Sequence, residues 1–161
     1  MQKTKTAFIL NLALALVSQF NVSAQTSNDT SGAIFPKGNK APSENFTGIV
    51  WVTPLMANDS IFNCVMGSVT FEPGARSNWH THPAGQILLV TEGTGYTQER
   101  GKQIQVIHKG DVIKCLPNVG HWHGATPATS MTHIAINPNA EKGVVTWLQK
   151  VTDKEYSNSK Q

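Results

Sequence analysis

Five of the six histidines in this 161-residue chain fall where β-structure would gather them. His80 and His82 lie in WHTH, His121 and His123 in HWH, and His133 in MTHIAI. Residues two apart on a strand face the same side. His80 and His82 therefore converge, and so do His121 and His123. Gln86 keeps the parity of His82 if the Pro83-Ala84-Gly85 turn leads directly into the next strand. Imidazoles and an amide oxygen meeting inside a barrel would make a metal site. A lone H-x-H pair is more often a surface or structural feature, but two such pairs among six histidines point to metal ligation. His108, beside Lys109-Gly110, reads as exposed and functionally silent.

Stepping along the chain, the elements that must hold these side chains are short β-type runs. They are 46–53, 61–71, 86–92, 94–100, 103–109, 111–116, 130–137 and 144–149, punctuated by glycines at 74, 93, 101, 110 and 143. Many short strands at regular spacing indicate an all-β sandwich or barrel. The one helical candidate is a turn near Thr152 to Tyr156. In MTHIAI the alternation sets Met131, His133 and Ala135 on one face, with Thr132, Ile134 and Ile136 opposite. Trp79 and Trp122 flank the candidate ligands, so they should face away, into a second layer or a subunit contact. Gly67 and Val69 share parity on the strand before WHTH and read as pocket walls or as packing residues. Arg76 and Glu72 read as a surface pair.

The N-terminus carries the features of an export signal. Lys3 and Lys5 precede the apolar run Ala7 to Val17, and Val22-Ser23-Ala24 offers small residues for cleavage before Gln25. The run is too short for a bilayer, which takes about 20 apolar residues. Residues 1–24 are thus expected to be a removed signal peptide, with the mature protein periplasmic or secreted and without a membrane anchor. Residues 25–45, rich in Ser, Thr, Asn, Gly and Pro, read as a flexible arm, and 46–161 as one domain. Loss of Lys3 and Lys5 takes the 13 basic residues to 11 against 10 acidic, with no basic cluster, which argues against nucleic acid. The compartment permits a bridge between Cys64 and Cys115. Both, however, sit in apolar runs where a free thiol packs as a small hydrophobe.

Gly74-x5-His80-x-His82-x3-Gln86-x6-Gly93 resembles the first cupin motif, with Gln86 where Glu is usual. Gly110 to His121, with Pro117 inside, resembles the second. Asn118 stands where a turn Gly is common, and Ala125 where the usual pattern has Asn. The resemblance covers about residues 46 to 150 and implies a cupin double-stranded β-helix, a jelly-roll barrel. FEPGARSNWHTHPAGQILLV, GHWHGATPATSMTHIAI and WLQKVTDKEY are similar to the small bacterial cupins that act as manganese-dependent hydroxynitrile lyases. That resemblance implies metal ligation by His80, His82, Gln86 and His121, with His123 and His133 facing substrate. It implies a small-molecule substrate and a homo-oligomer, a dimer or tetramer, since cupins commonly pair through sheet edges.

A site of neutral imidazoles and a neutral amide leaves the charge of a divalent ion uncompensated, which strengthens it as a Lewis acid. Imidazole with hard oxygen suits Mn or Fe, and four protein ligands on an octahedral ion leave two positions for substrate. The expected reaction cleaves or forms a cyanohydrin, with the ion polarising the hydroxyl oxygen and His133, or else His123, as base. Two alternatives stand beside it: an O2-dependent cupin dioxygenase on the same ligands, and a non-catalytic periplasmic small-ligand-binding cupin.

Overall fold

The computed structural model describes residues 34–158. The expected signal peptide, residues 1–24, and the first part of the expected arm lie outside the described residues. The strands come in the order β1 Asn39–Lys40, β2 Phe46–Thr47, β3 Val50–Met56, β4 Cys64–Phe71, β5 Arg76–Ser77 and β6 His80–Thr81. They continue with β7 Gln86–Glu99, β8 Gln105–His108, β9 Val112–Cys115, β10 His121–Ala125, β11 Met131–Pro138 and β12 Thr146–Trp147. A short helix, α1 Asp153–Ser157, ends the described chain.

Every strand pairing is antiparallel, and the strands divide into two layers. One layer runs β1-β3-β4-β11 and then the first half of β7, with β9 on the other side of β7. The other holds the second half of β7 with β8, β10, β5, β6, β2 and β12. The sequence suggests two strands at 86–92 and 94–100; the chain instead runs through Gly93 as one bent strand serving both layers. Gly93 makes this bend at φ 74°, and a Cβ there would sit 2.0 Å from the Ser130 carbonyl oxygen. Only glycine fits. The converse happens at 46–53. Gly48, at φ 80°, breaks that run into β2 and β3, and the two pieces join opposite layers. Asn118 adopts the left-handed conformation, φ 59°, as its place in the motif requires.

Alternation decides what lies between the layers. Val50, Phe71, Val90, Ile107, Ala125 and Met131 are buried together there and form the main core. Trp79 and Trp122 point away from the barrel interior, as parity requires, and pack with Val151 and Tyr156 beneath α1. Their cover is thus the chain's own C-terminus. Thr152 caps α1 reciprocally with Glu155: Glu155 N–H donates to the Thr152 hydroxyl at 3.1 Å, and Thr152 N–H to the Glu155 carboxylate at 2.7 Å. The arm is also tied at its end, where Asn39 and Lys40 pair with Val52 and Trp51.

Arg76 and Glu72 do not form the expected surface pair. Glu72 accepts from Lys37 and from the Trp51 indole. Arg76 is buried, donates to the Val151 carbonyl oxygen and to Asp153, and lies 4.6 Å over the Tyr156 ring. The helix that covers it is 77 residues away in sequence, beyond the reach of a local reading. The Asp153 side chain is 97% exposed, so its ion pair is worth little. Arg76→Ala should therefore lower unfolding stability by about 2 kcal/mol, while Asp153→Ala should cost less than about 1 kcal/mol. Urea denaturation of both variants, with m unchanged, checks the contrast.

Candidate metal centre

His80 lies on β6 and His121 opens β10, and the two residues are direct cross-strand partners. His82 follows β6 at the turn whose other end is Gln86, the first residue of β7. The rings of His80 and His121 come to 4.3 Å between centroids, His80 and His82 to 5.1 Å, and His82 and His121 to 5.3 Å. One ligand atom from each of the three lies within 4.8 Å of the others. All three residues are buried, as is Gln86.

The backbone settles which nitrogen each ring offers. Nδ1 of His80 lies 2.8 Å from the Asn78 carbonyl oxygen, that of His82 2.5 Å from Val144, and that of His121 3.0 Å from Val119. A carbonyl can only accept, so Nδ1 carries the proton and Nε2 presents its lone pair. His82 Nε2, His121 Nε2 and Gln86 Oε1 are buried with no hydrogen-bond partner. Orphaned buried acceptors are costly, and a cation among them satisfies all three at once. Burial also keeps the rings neutral: it pushes His80 well below its usual range, His82 down to about 4, and His121 down as well. Neutral rings oriented by backbone carbonyls are what metal ligation needs.

His123 and His133 stand on the same cavity. Their rings meet edge to face at 4.8 Å, and His123 lies 5.1 Å from His80. His133 is fully buried and neither of its ring nitrogens is hydrogen-bonded; Nδ1 of His123 is likewise unpartnered. Burial depresses His133 to about 3, and burial together with the adjacent His133 holds His123 well below its ordinary value. The expected parity of Met131, His133 and Ala135 holds, although a bulge interrupts the pairing with β7 between Thr132 and His133.

The cavity in front of these histidines measures about 410 Å3. Its apolar walls come from Phe46, Val52, Val69, Ala135, Val144 and Trp147. Trp147 lies against both His80 and Phe46, at 5.1 and 5.3 Å. Among the described residues no Asp or Glu lines it, and the carboxylate that acts on the cluster, Glu99, stands behind His121 on β7. Val69 is part of this wall, and Gly67 lines a neighbouring cavity of about 400 Å3 that shares Val69 and Ala135 with it. His108 is exposed, as expected. Cys64 and Cys115 are both free thiols.

Three features of the site lie beyond the histidine pattern. Trp147 and Phe46 reach it from short strands that show no alternation. The orienting carbonyls belong to residues whose side chains are irrelevant to the role. Asn137 also lines the cavity and contacts Gln86, and the 133-135-137 parity does carry a signal for it.

The comparisons agree with this architecture. A family model described as "Cupin domain" matches residues 67–146. The chain is 47% identical over 117 residues to an (R)-mandelonitrile lyase of Granulicella tundricola, covering 73% of this chain and 89% of that protein. Among solved structures it is similar to a cupin-like protein from Thermotoga maritima, with 48% identity, TM-score 0.77, and 79% of this chain against 96% of that one. A cupin 2 conserved barrel domain protein from Rhodopseudomonas palustris shares the fold, with TM-score 0.57 and 18% identity over 74% of this chain and 78% of that one. Motif, barrel topology and relatives agree, and the chain belongs to the cupin family.

Proposed function

We propose that this protein is a metal-dependent lyase that cleaves, or in reverse forms, a cyanohydrin, yielding an aldehyde and cyanide. The observation that carries the reading is a three-histidine cluster whose His80 and His82, with Gln86, line the same apolar cavity as His123 and His133. Three rings have their lone pairs turned together, and two further neutral rings stand beside them. Similarity to a protein named as a mandelonitrile lyase supports the choice of reaction.

His80, His82, Gln86 and His121 would hold a divalent ion, with Mn the expected metal, and the bound ion would supply Lewis acidity toward a substrate oxygen. The remaining roles fall to the chain's own residues. Phe46, Val69 and Trp147 take up the apolar body of the substrate and exclude water. Neutral His133, with free lone-pair capacity, accepts the hydroxyl proton. As the C–O bond becomes a carbonyl, the C–C bond breaks and its electron pair leaves with cyanide. A protonated ring of the His123–His133 pair then returns a proton, and hydrogen cyanide departs. Nothing is oxidised, and no oxygen is consumed. We place this activity outside the cytoplasm, on the strength of the export signal at residues 1–24.

The test is anaerobic. Protein loaded with Mn(II) should release benzaldehyde from mandelonitrile, and a His80→Ala control should not. Absence of release, or turnover that requires oxygen, would overturn the lyase reading in favour of a binding protein or a dioxygenase.

A further inference from the structure

Of the four donors, Gln86 is the one whose own chemistry leaves its orientation open. Each histidine is committed by a backbone carbonyl, but a carboxamide can turn either end into the cavity. Oxygen inward, it is a donor to a cation; nitrogen inward, it presents N–H groups and repels one. What lies behind the amide must decide.

Behind it lies Asn137, on β11. Ile136 pairs with Ile87, so the next residues along these antiparallel strands, Asn137 and Gln86, come opposite one another. Gln86 Nε2 donates to Asn137 Oδ1 at 3.1 Å. Asn137 has the same two-ended ambiguity, and its other strand neighbour removes it. Val65, its partner on β4, offers a backbone carbonyl, and Asn137 Nδ2 donates to it over 3.5 Å. A carbonyl accepts only. Asn137 must therefore turn its nitrogen toward Val65 and its oxygen toward Gln86. Gln86 must then turn its nitrogen toward Asn137 and its oxygen into the cavity. That oxygen is buried without a partner, as are His82 Nε2 and His121 Nε2. Gln86 and Asn137 are 6% and 7% exposed, so the relay is largely shielded from solvent.

We propose that Asn137 is a positioning residue that locks the Gln86 carboxamide oxygen-inward, and so completes the donor set for the cation. The inference rests on the metal-site reading above. It also gives a reason for an amide at position 86. A glutamate there would set its outer oxygen against Asn137 Oδ1, unless Asn137 turned its oxygen onto the Val65 carbonyl.

The test is a double-mutant cycle read by Mn(II) binding to metal-free protein, in competition with a chromophoric chelator. Asn137→Leu keeps the approximate volume and removes both hydrogen bonds. It should weaken Mn(II) binding by about ten- to a hundredfold, as loss of a ligand-orienting partner does. In a Gln86→Ala background the same substitution should change the affinity less than about twofold, because the residue it positions is gone. Asn137→Ala, run through the same cycle, serves if the leucine variant does not fold. Unchanged affinity in Asn137→Leu, or an equal loss in both backgrounds, would overturn the proposal. A His80→Ala control that binds Mn(II) as tightly as the parent protein would overturn the metal site itself, and this inference with it.

Discussion

His121→Ala and His80→Ala are each expected to empty the metal site and take turnover to background. The two residues face one another across the β6–β10 pair with rings 4.3 Å apart, so removal of either opens the centre of the donor cluster. Losing a partner that merely orients a ligand costs about 10–100-fold in metal affinity. Losing a ligand should exceed that range, leaving Mn(II) binding more than about a hundredfold weaker. Both rings are at most 2% exposed, so alanine also leaves a cavity. A stability cost of about 2–4 kcal/mol is expected for each. Metal analysis of the folded fraction, alongside circular dichroism, separates the two effects. A folded variant that keeps stoichiometric metal and full turnover would remove His80 or His121 from the site.

The histidines were legible in the sequence because strand parity is a local rule. Two H-x-H pairs must each present one face, and the turn before Gln86 preserves that face, so the cluster follows from spacing once the strands close into a barrel. The same rule sends Trp79 and Trp122 outward, where they are found. Local rules stop where the partner is distant. Val144 orients His82 from 62 residues away, and Trp147 packs on His80 from 67. No pattern around either residue announces it. Arg76 departs from the expected surface position for the same reason, since a charged side chain beside a turn is normally solvated unless a later segment covers it. Here the C-terminal segment does three things: it buries Arg76, roofs the tryptophans, and supplies both a carbonyl and a wall to the cavity. Gly67 lines the adjoining cavity rather than the main one for a geometric reason. Shared parity with Val69 gives a common face, but that face spans two adjoining cavities.

His133→Ala should behave in the opposite way to the ligand variants, keeping its metal and losing most of its turnover. His133 is not among the three clustered rings, and its ring instead packs against His123 at 4.8 Å and Phe71 at 5.7 Å. Both of its nitrogens are free of hydrogen bonds in a fully buried setting, which suits a group that must take a proton from a bound substrate. A positioned acid–base group contributes about 10²–10⁴-fold, and kcat should fall by that factor while KM moves little. His133→Phe, which retains a ring of similar breadth, should show the same loss with less damage to packing. Agreement of the two variants would assign the effect to the missing nitrogen rather than to the missing volume. If both keep metal and turnover, the base lies elsewhere, and His123, with its own unpartnered Nδ1 on the same cavity, becomes the residue to replace. If both lose metal together with turnover, His133 supports the donor cluster rather than the proton transfer. The KM-against-kcat split, read beside the metal content, decides among the three.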